Sequence, residues 1–123
     1  MAKFRFEDLE IWQEAVSVAR ELFAIADELE QKKLWRFADQ LRGSGIGIPN
    51  NISESTGSDK LREQQQLLRY SKRECYESAN MIMIFQLENH ITKERKSKLF
   101  NRLNILCGRI QSYSNSLAKN AIQ

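Results

Sequence analysis

The sequence predicts an all-α protein, a left-handed up-down-up-down four-helix bundle. Apolar residues recur at alternating steps of three and four along four long stretches, which is the spacing of one helix face. Short polar stretches near EQKK, TGSD and NHITKE separate them, and no segment alternates as a strand would. A chain of 123 residues, 41% of them hydrophobic, has the size and core of one domain, residues 1–123.

Helix 1 begins near Leu9 and carries two apolar series side by side. The first series is Leu9, Trp12, Val16, Ala19, Phe23 and Ala26. The second series is Ile11, Ala15, Val18, Leu22, Ile25 and Leu29. An apolar face of this width exceeds what a surface helix needs, so one series is expected to fill the bundle and the other to contact a second subunit. The alternative is a wide core face in a monomer.

Helix 2 contains the unusual stretch LRGSGIGIPNNISES, residues 41 to 55. An apolar seam passes through it in register: Leu34, Ala38, Leu41, Gly45, Ile48, Ile52 and Ser55. We therefore predict one helix over residues 34 to 55, kinked near Gly45 to Pro49, because the glycine four residues before the proline lets the backbone tilt away. Gly43 and Gly47 are expected to allow tight packing. A phosphate-binding loop is the rival interpretation, but the Gly-Lys-Ser/Thr and the preceding strand are missing.

Helix 3 is predicted over residues 60 to 88, with Ser58 or Asp59 as its N-cap, and helix 4 follows Thr92 as N-cap. The helix 3 seam carries glutamine, serine and cysteine where larger apolar side chains are expected. This thin seam predicts either close approach of a neighbouring helix or room for an aromatic ring such as Trp35.

Charge and hydropathy limit the environment of the chain. The formal net charge is +3, a mild basic bias that favours anionic partners. The N-terminus lacks the features of a secretory signal, and no apolar run approaches the ~18 residues of a membrane span, so we expect a cytoplasmic protein without membrane contact. Cys75 and Cys107 are then expected to be reduced thiols in the core.

Basic side chains form a stripe on each of helices 3 and 4. The candidate nucleic-acid-binding residues are Arg62, Arg69, Lys72, Arg73, Arg95, Lys98, Arg102 and Arg109. If the two stripes adjoin, they make a surface for sequence-independent, salt-sensitive contact with RNA or DNA, and no aromatic stacking platform is predicted on it. The alternative is a solvated face, because Glu63, Glu74 and Glu94 lie among the bases.

The sequence predicts a protein that is not an enzyme and carries no cofactor or metal. His90 is the only histidine, and Leu87 stands where the Glu-x-x-His pair of a di-iron bundle would need its glutamate. Two cysteines alone do not make a zinc site. The scattered glutamates give no basis for choosing a general acid and base.

Three motifs in order resemble those of the small bacterial four-helix-bundle proteins encoded in intervening sequences of 23S rRNA genes. They are FEDLEIWQEA at 6 to 15, LRGSGIGIPNNISES at 41 to 55 and ECYES at 74 to 78. The chain departs from the family pattern at Gly43, where the family has arginine, and at Gly45, Gly47 and Ser55. The resemblance extends over nearly the whole chain.

The resemblance implies a ring-like homopentamer. Relatives include the accessory protein of diversity-generating retroelements, which binds nucleic acid and a reverse transcriptase. The expected partners are therefore further copies of the chain and RNA or DNA, and the alternative is a protein adaptor that docks a partner such as a reverse transcriptase. The biochemical role of the family is not established.

Four polar residues match family positions: Arg42, Asn51, Glu54 and Glu77. We predict that they form a buried polar network in which Arg42 holds helices 2 and 3 in register. The alternative is that Asn51, Glu54 and Glu77 line a site.

Overall fold

The computed structural model describes residues 3–122, which form four long α-helices and no strand. A 3₁₀ turn, Arg5–Asp8, precedes α1, Glu10–Gln31; then come α2, Trp35–Ser55, α3, Leu61–Leu87, and α4, Lys93–Ile122. The predicted all-α bundle is confirmed. Within this part of the chain, no helix has both the length and the apolar character that crossing a membrane requires.

Contacts between successive helices run in opposite chain order, so neighbouring helices are antiparallel. Arg42 of α2 pairs with Asp27 of α1, whereas Gly45, further along α2, lies against Leu22, further back in α1. The same reversal joins α2 to α3 through Ser44 with Ser78 and Ile48 with Ser71, and α3 to α4 through Lys72 with Gln111 and Gln65 with Ser114. The connectivity is therefore up-down-up-down.

The glycine-rich segment is helical, as its seam predicts. α2 continues through Pro49, and Ala38, Leu41 and Ile48 are completely buried. Pro49 has no N–H to donate to the Gly45 carbonyl, so the helical hydrogen-bond ladder is interrupted at the predicted position. Gly45 lies against the core, where an added Cβ would come 3.3 Å from Leu22 Cδ1.

Small residues bring α2 and α3 close together. The Ser44 and Ser78 hydroxyls are 2.8 Å apart, and the Ser71 hydroxyl donates to the Ile48 carbonyl at 2.8 Å. The thin seam of α3 therefore serves close helix approach, and Trp35 is not inserted there but is exposed.

The tight packing expected at two glycines is found at one of them. A Cβ on Gly47 would come 2.9 Å from Glu74 Cδ of α3, whereas one on Gly43 would meet no atom within 4 Å. The prediction for Gly43 is wrong, because this residue lies on the exposed side of α2.

The helix ends differ in part from the predicted caps. Thr92 caps α4, since its hydroxyl accepts from the Arg95 N–H at 3.1 Å. The N-cap of α3 is Lys60, without a side-chain cap bond, so the choice of Ser58 or Asp59 is wrong. The helix begins later than predicted, and the Ser58 hydroxyl accepts from the Lys60 N–H while donating to the Glu63 carboxylate.

The two apolar series of α1 have different surroundings. All six members of the second series, from Ile11 to Leu29, are buried in the core. In the first series Trp12, Val16 and Phe23 are only partly buried. Phe23 contacts the α2 side of the bundle, where its Cε1 would lie 3.6 Å from a Cβ on Gly45.

Candidate nucleic-acid interface

The three arginines of the α4 stripe pair with glutamates of α1. Arg95, Arg102 and Arg109 are spaced by seven residues, as are Glu28, Glu21 and Glu14, which run in the opposite direction along α1. The pairs are Arg95–Glu28 at 2.7 Å, Arg102–Glu21 at 2.6 Å and Arg109–Glu14 at 2.5 Å, with a further contact from Arg109 to Glu10 at 3.1 Å. We call this set the α1–α4 ion-pair ladder.

The glutamates of the ladder neutralise the positive charge that the α4 arginines would otherwise present to a phosphate group. Its three arginines face four carboxylates, so the surface there carries no excess of positive charge. The Arg95 hydrogen bond lowers the pKa of Glu28, and Glu28 in turn raises the pKa of Arg95. A phosphate group would have to displace these carboxylates before it could bind.

The arginines bridge a gap between two loosely packed helices. α4 packs more extensively on α3 than on α1, and a cleft of about 510 Å³ opens beside Glu21, Arg95 and Arg102. Lys98 also lines this cleft, and its ammonium lies 3.6 Å from the Glu94 carboxylate of the preceding turn.

The basic stripes of α3 and α4 do not adjoin, because the side of α4 that carries its arginines is not the side that faces α3. On α4, Cys107, Gln111 and Ser114 face α3, whereas the ladder arginines face α1. The single combined basic surface considered above is therefore absent from residues 3–122.

The cations of α3 have no such partners. Arg62, Arg69 and Arg73 are exposed, and none forms an ion pair with another residue of the described chain. Steps of seven and four place them along one face of α3. Lys72 lies at the edge of this face, where its ammonium donates to the amide oxygen of Gln111 on α4. We call these four residues the α3 basic strip.

Two of the three carboxylates of α3 are on another face of the helix. At about 100° per residue, Glu63 and Glu74 lie toward α2, on the side of α3 away from α4, whereas Glu77 follows Arg73 by one turn on the exposed face. The Glu74 side chain is packed over Gly47, which confirms this direction for that residue. Glu63 and Glu74 are therefore separated from the strip arginines, and Glu77 is the one carboxylate of α3 beside them, without forming an ion pair within the described chain.

Glu74 is held in a place that disfavours its charge. Partial burial, followed by the proximity of Glu77, raises the pKa of the Glu74 carboxyl above its ordinary value, against a smaller opposite effect of Arg73.

Two exposed tyrosines lie among the arginines of α3, and the sequence interpretation missed both. Tyr76 is 72% exposed, and the Arg73 guanidinium carbon lies 5.9 Å from the centre of the Tyr70 ring. For Tyr76 the signal available in the sequence was its position. It follows Arg69 by seven residues and Arg73 by three, which is the spacing of the same helix face.

Two small clefts follow the groove between α3 and α4. One, of about 170 Å³, is lined by Arg69 and Lys72 on α3 and by Gln111 on α4, among others. The next, of about 190 Å³, includes Tyr76 and Asn104 in its lining. The groove thus places cations, an aromatic ring and amide groups in succession.

The four polar residues at family positions do not form one network. Arg42 binds Asp27 at 2.7 Å and Glu30 at 2.6 Å, so it joins α2 to α1 and not to α3. The Asn51 amide donates to the Gly47 carbonyl within α2. Glu54 and Glu77 are exposed. Register between α2 and α3 comes instead from the buried Ser44–Ser78 and Ser71–Ile48 hydrogen bonds.

The described residues bring together no group of three or more histidine, cysteine or acidic side chains able to hold a metal ion. His90 lies in the turn after α3, where its Nδ1 is 3.4 Å from Lys32 Nζ.

Comparison with known proteins identifies one family and one fold. The family model described as 23S rRNA-intervening sequence protein matches residues 7–112. The structure is similar to a crystal structure of a protein with unknown function from the S23 ribosomal protein family of Bacteroides thetaiotaomicron, with a TM-score of 0.79 and 17% sequence identity. That match covers 85% of this chain and 97% of the other. No curated protein matches the chain. Neither match names a catalytic family.

Proposed function

Because the chain belongs to the 23S rRNA-intervening sequence protein family, whose model matches residues 7–112, we propose that it is a cytoplasmic, non-enzymatic scaffold that binds nucleic acid. It assembles with further copies of itself and contacts RNA or DNA through the α3 basic strip. The family supplies the fold, and the contact surface is proposed from the side chains of this chain.

The observation that carries the proposal is the difference between the two basic stripes. The α4 arginines are paired with carboxylates, whereas Arg62, Arg69 and Arg73 are exposed without an ion pair among the described residues. Phosphate contacts need cations that are free to exchange their counterions, so the α3 strip is the surface suited to them.

The side chains on this face favour single strands. Tyr76 and Tyr70 offer rings on which a base stacks, and such stacking needs bases that are not already paired. No regular array of base-reading side chains is needed for this contact. Binding is therefore sequence-independent and weakens steeply as salt rises.

Self-assembly would multiply a modest charge. One strip supplies only a few phosphate contacts, but several strips on one oligomer engage the same strand at a high effective concentration. The proposed contact between copies is the side formed by α1 and α2. Trp12, Val16 and Phe23 are partly exposed there, and Ile46 is 48% exposed. Ile46 follows Arg42 by one turn, on the face of α2 that Arg42 directs toward α1.

The binding experiment compares two double variants of equal net charge. Arg69→Glu with Arg73→Glu reverses the α3 strip, and Lys93→Glu with Lys119→Glu reverses two exposed lysines of α4, away from the proposed contact between copies. Retention of mixed-sequence single-stranded RNA and DNA is measured over a salt series. We expect the α3 variant to lower the slope of log affinity against log salt by about 1.4, at roughly 0.7 per lost contact.

Three results decide the matter. Loss of RNA and DNA retention in the α3 variant alone supports the proposal. Equal loss in both variants would mean that only net charge matters, and it would remove the strip from the account. Retention unchanged in the α3 variant would favour the protein-adaptor alternative.

The assembly experiment compares two isoleucines of similar exposure. Ile46 is 48% exposed on α2 and Ile105 is 51% exposed on α4, so neither glutamate variant should disturb the core. Light scattering of the unmodified protein should give a multiple of the 14.4 kDa chain mass, fivefold for a pentamer. Ile46→Glu should reduce this mass and Ile105→Glu should not. A mass equal to that of one chain for the unmodified protein would contradict self-assembly. A lower mass for Ile105→Glu than for Ile46→Glu would contradict the placement of the contact on the α1–α2 side.

A further inference from the structure

The two cysteines of the chain lie in the same cleft between α3 and α4. This thiol cleft, of about 190 Å³, is lined by Cys75, Tyr76, Ala79, Phe100, Leu103, Asn104 and Cys107. Both cysteines are free, as expected from the sequence. Cys75 is 1% exposed, while Cys107 is partly open to solvent. One thiol is thus accessible from outside and the other lies behind it.

The register of the two helices keeps the thiols opposite each other. Lys72 of α3 reaches Gln111 of α4, and these residues lie one turn from Cys75 and Cys107 respectively. Because α3 and α4 are antiparallel, one turn forward in α3 meets one turn back in α4. The signal available in the sequence was position: Cys75 and Cys107 lie at similar distances from the turn between α3 and α4, and such residues face each other in an antiparallel pair.

The two thiols have different acidities. The interaction with the Cys75 thiol and the nearby Lys72 ammonium lower the pKa of Cys107, against the opposite effect of burial. The interaction with Cys107 and then burial raise the pKa of Cys75. Cys107 is both the more exposed thiol and the one beside the Lys72 ammonium, which favours a thiolate, so it is the thiol placed to react first.

We propose that Cys107 and Cys75 form a redox-active dithiol that reacts with hydroperoxides. The Cys107 thiolate attacks one peroxide oxygen, the O–O bond breaks, and the products are a Cys107 sulfenic acid and an alcohol or water, which takes up a proton. The Cys75 thiol then attacks the sulfenic sulfur, forming the disulfide and releasing water. The two thiols lose two electrons and the peroxide gains them. A low-molecular-weight thiol reverses the step by thiol–disulfide exchange.

The disulfide would join α3 to α4 beside Tyr76, at the end of the α3 basic strip. The thiol chemistry does not depend on nucleic-acid binding, so it can be tested independently of the proposed function.

The test treats the reduced, folded protein with stoichiometric hydrogen peroxide and follows intact mass. We expect a loss of about 2 Da and, after digestion, a peptide pair joined through Cys75 and Cys107. This measurement needs no variant. A peroxide-treated protein that keeps its mass, or that forms only disulfides between chains, overturns the proposal.

Two variants assign the roles. In Cys75→Ser the Cys107 sulfenic acid should persist and be trapped by dimedone. In Cys107→Ser, dimedone labelling of the buried Cys75 after peroxide treatment should be at least tenfold slower than labelling of Cys107 in Cys75→Ser. Circular dichroism checks that both variants remain folded. Equal dimedone labelling of the two variants would contradict the assignment of Cys107 as the attacking thiol and Cys75 as the resolving thiol.

Discussion

Lys33 holds a left-handed backbone conformation, φ 67°, one residue beyond the C-cap of α1, Lys32. The Leu34 N–H donates to the Leu29 carbonyl and the Lys33 N–H to that of Glu30, the hydrogen bonds of a Schellman helix end. A side chain at this φ costs about 1 kcal/mol relative to glycine. Lys33→Gly should therefore raise the free energy of unfolding by about 1 kcal/mol, measured by urea denaturation at fixed protein concentration.

The matched control is the adjacent lysine. Lys32 has φ −87°, which any residue adopts, so Lys32→Gly should bring no gain. Stabilisation by both variants, or by neither, would show that backbone conformation at Lys33 is not the cause.

Glu74 predicts a dependence of stability on pH. Its pKa is raised from 4.5, so the folded state binds this proton more tightly than the unfolded chain does. The charged carboxylate therefore costs stability at neutral pH, and the cost vanishes as pH falls below the unfolded value. Glu74→Gln should raise the midpoint of urea unfolding at pH 7 and have little effect near pH 4. Glu54→Gln, at an exposed position on α2, is the control. A larger gain at pH 4 than at pH 7 would contradict the assignment.

What the sequence revealed about single residues depended on whether one helix decides their surroundings. The Thr92 cap is local and was predicted. The exposure of Tyr76 depends on which faces of α3 are covered by α2 and α4, so the motif alone did not reveal it. Arg42 shows the same limit: its partners, Asp27 and Glu30, belong to another helix.

At the scale of the element, α2 tolerates glycine for two different reasons. A Cβ on Gly43 would meet nothing within 4 Å, whereas one on Gly45 would come 3.3 Å from the buried Leu22. Gly43→Ala should stabilise the protein by about 0.5–1 kcal/mol through helix propensity. Gly45→Ala should destabilise it by about 1–3 kcal/mol through overpacking. Thermal and urea unfolding of the two variants measure both, and a gain at Gly45 would show that α1 and α2 can move apart at no cost.

The ion-pair ladder was visible in the sequence as two matching patterns. Glu14, Glu21 and Glu28 repeat at seven residues, as do Arg95, Arg102 and Arg109. In an antiparallel bundle α1 and α4 are neighbours, so equal spacing of opposite charges predicts pairing between them. The basic stripe of α4 does not show these partners when it is considered without α1. Each pair, partly exposed, contributes only about 0.2–1 kcal/mol, but together they determine which arginines are available to a ligand.

For the whole molecule, the fold was predictable because one signal ran through all four helices. The seam of α2 continues past Pro49 and remains buried, and the small residues of α3 meet those of α2. The candidate interface was less predictable. Which of two basic stripes is free depends on the contacts of α4 with both α1 and α3, and these follow from the assembled bundle rather than from either helix.

The central claim is that nucleic acid is contacted through α3 and not through the α4 ladder. Ultraviolet crosslinking of the unmodified protein to single-stranded RNA at low salt, with the crosslinked peptides identified by mass spectrometry, tests it without disturbing the fold. The account predicts crosslinks at Tyr70 and Tyr76, lost as salt is raised. Crosslinks confined to the segment from Arg95 to Arg109, or to α1, would contradict it.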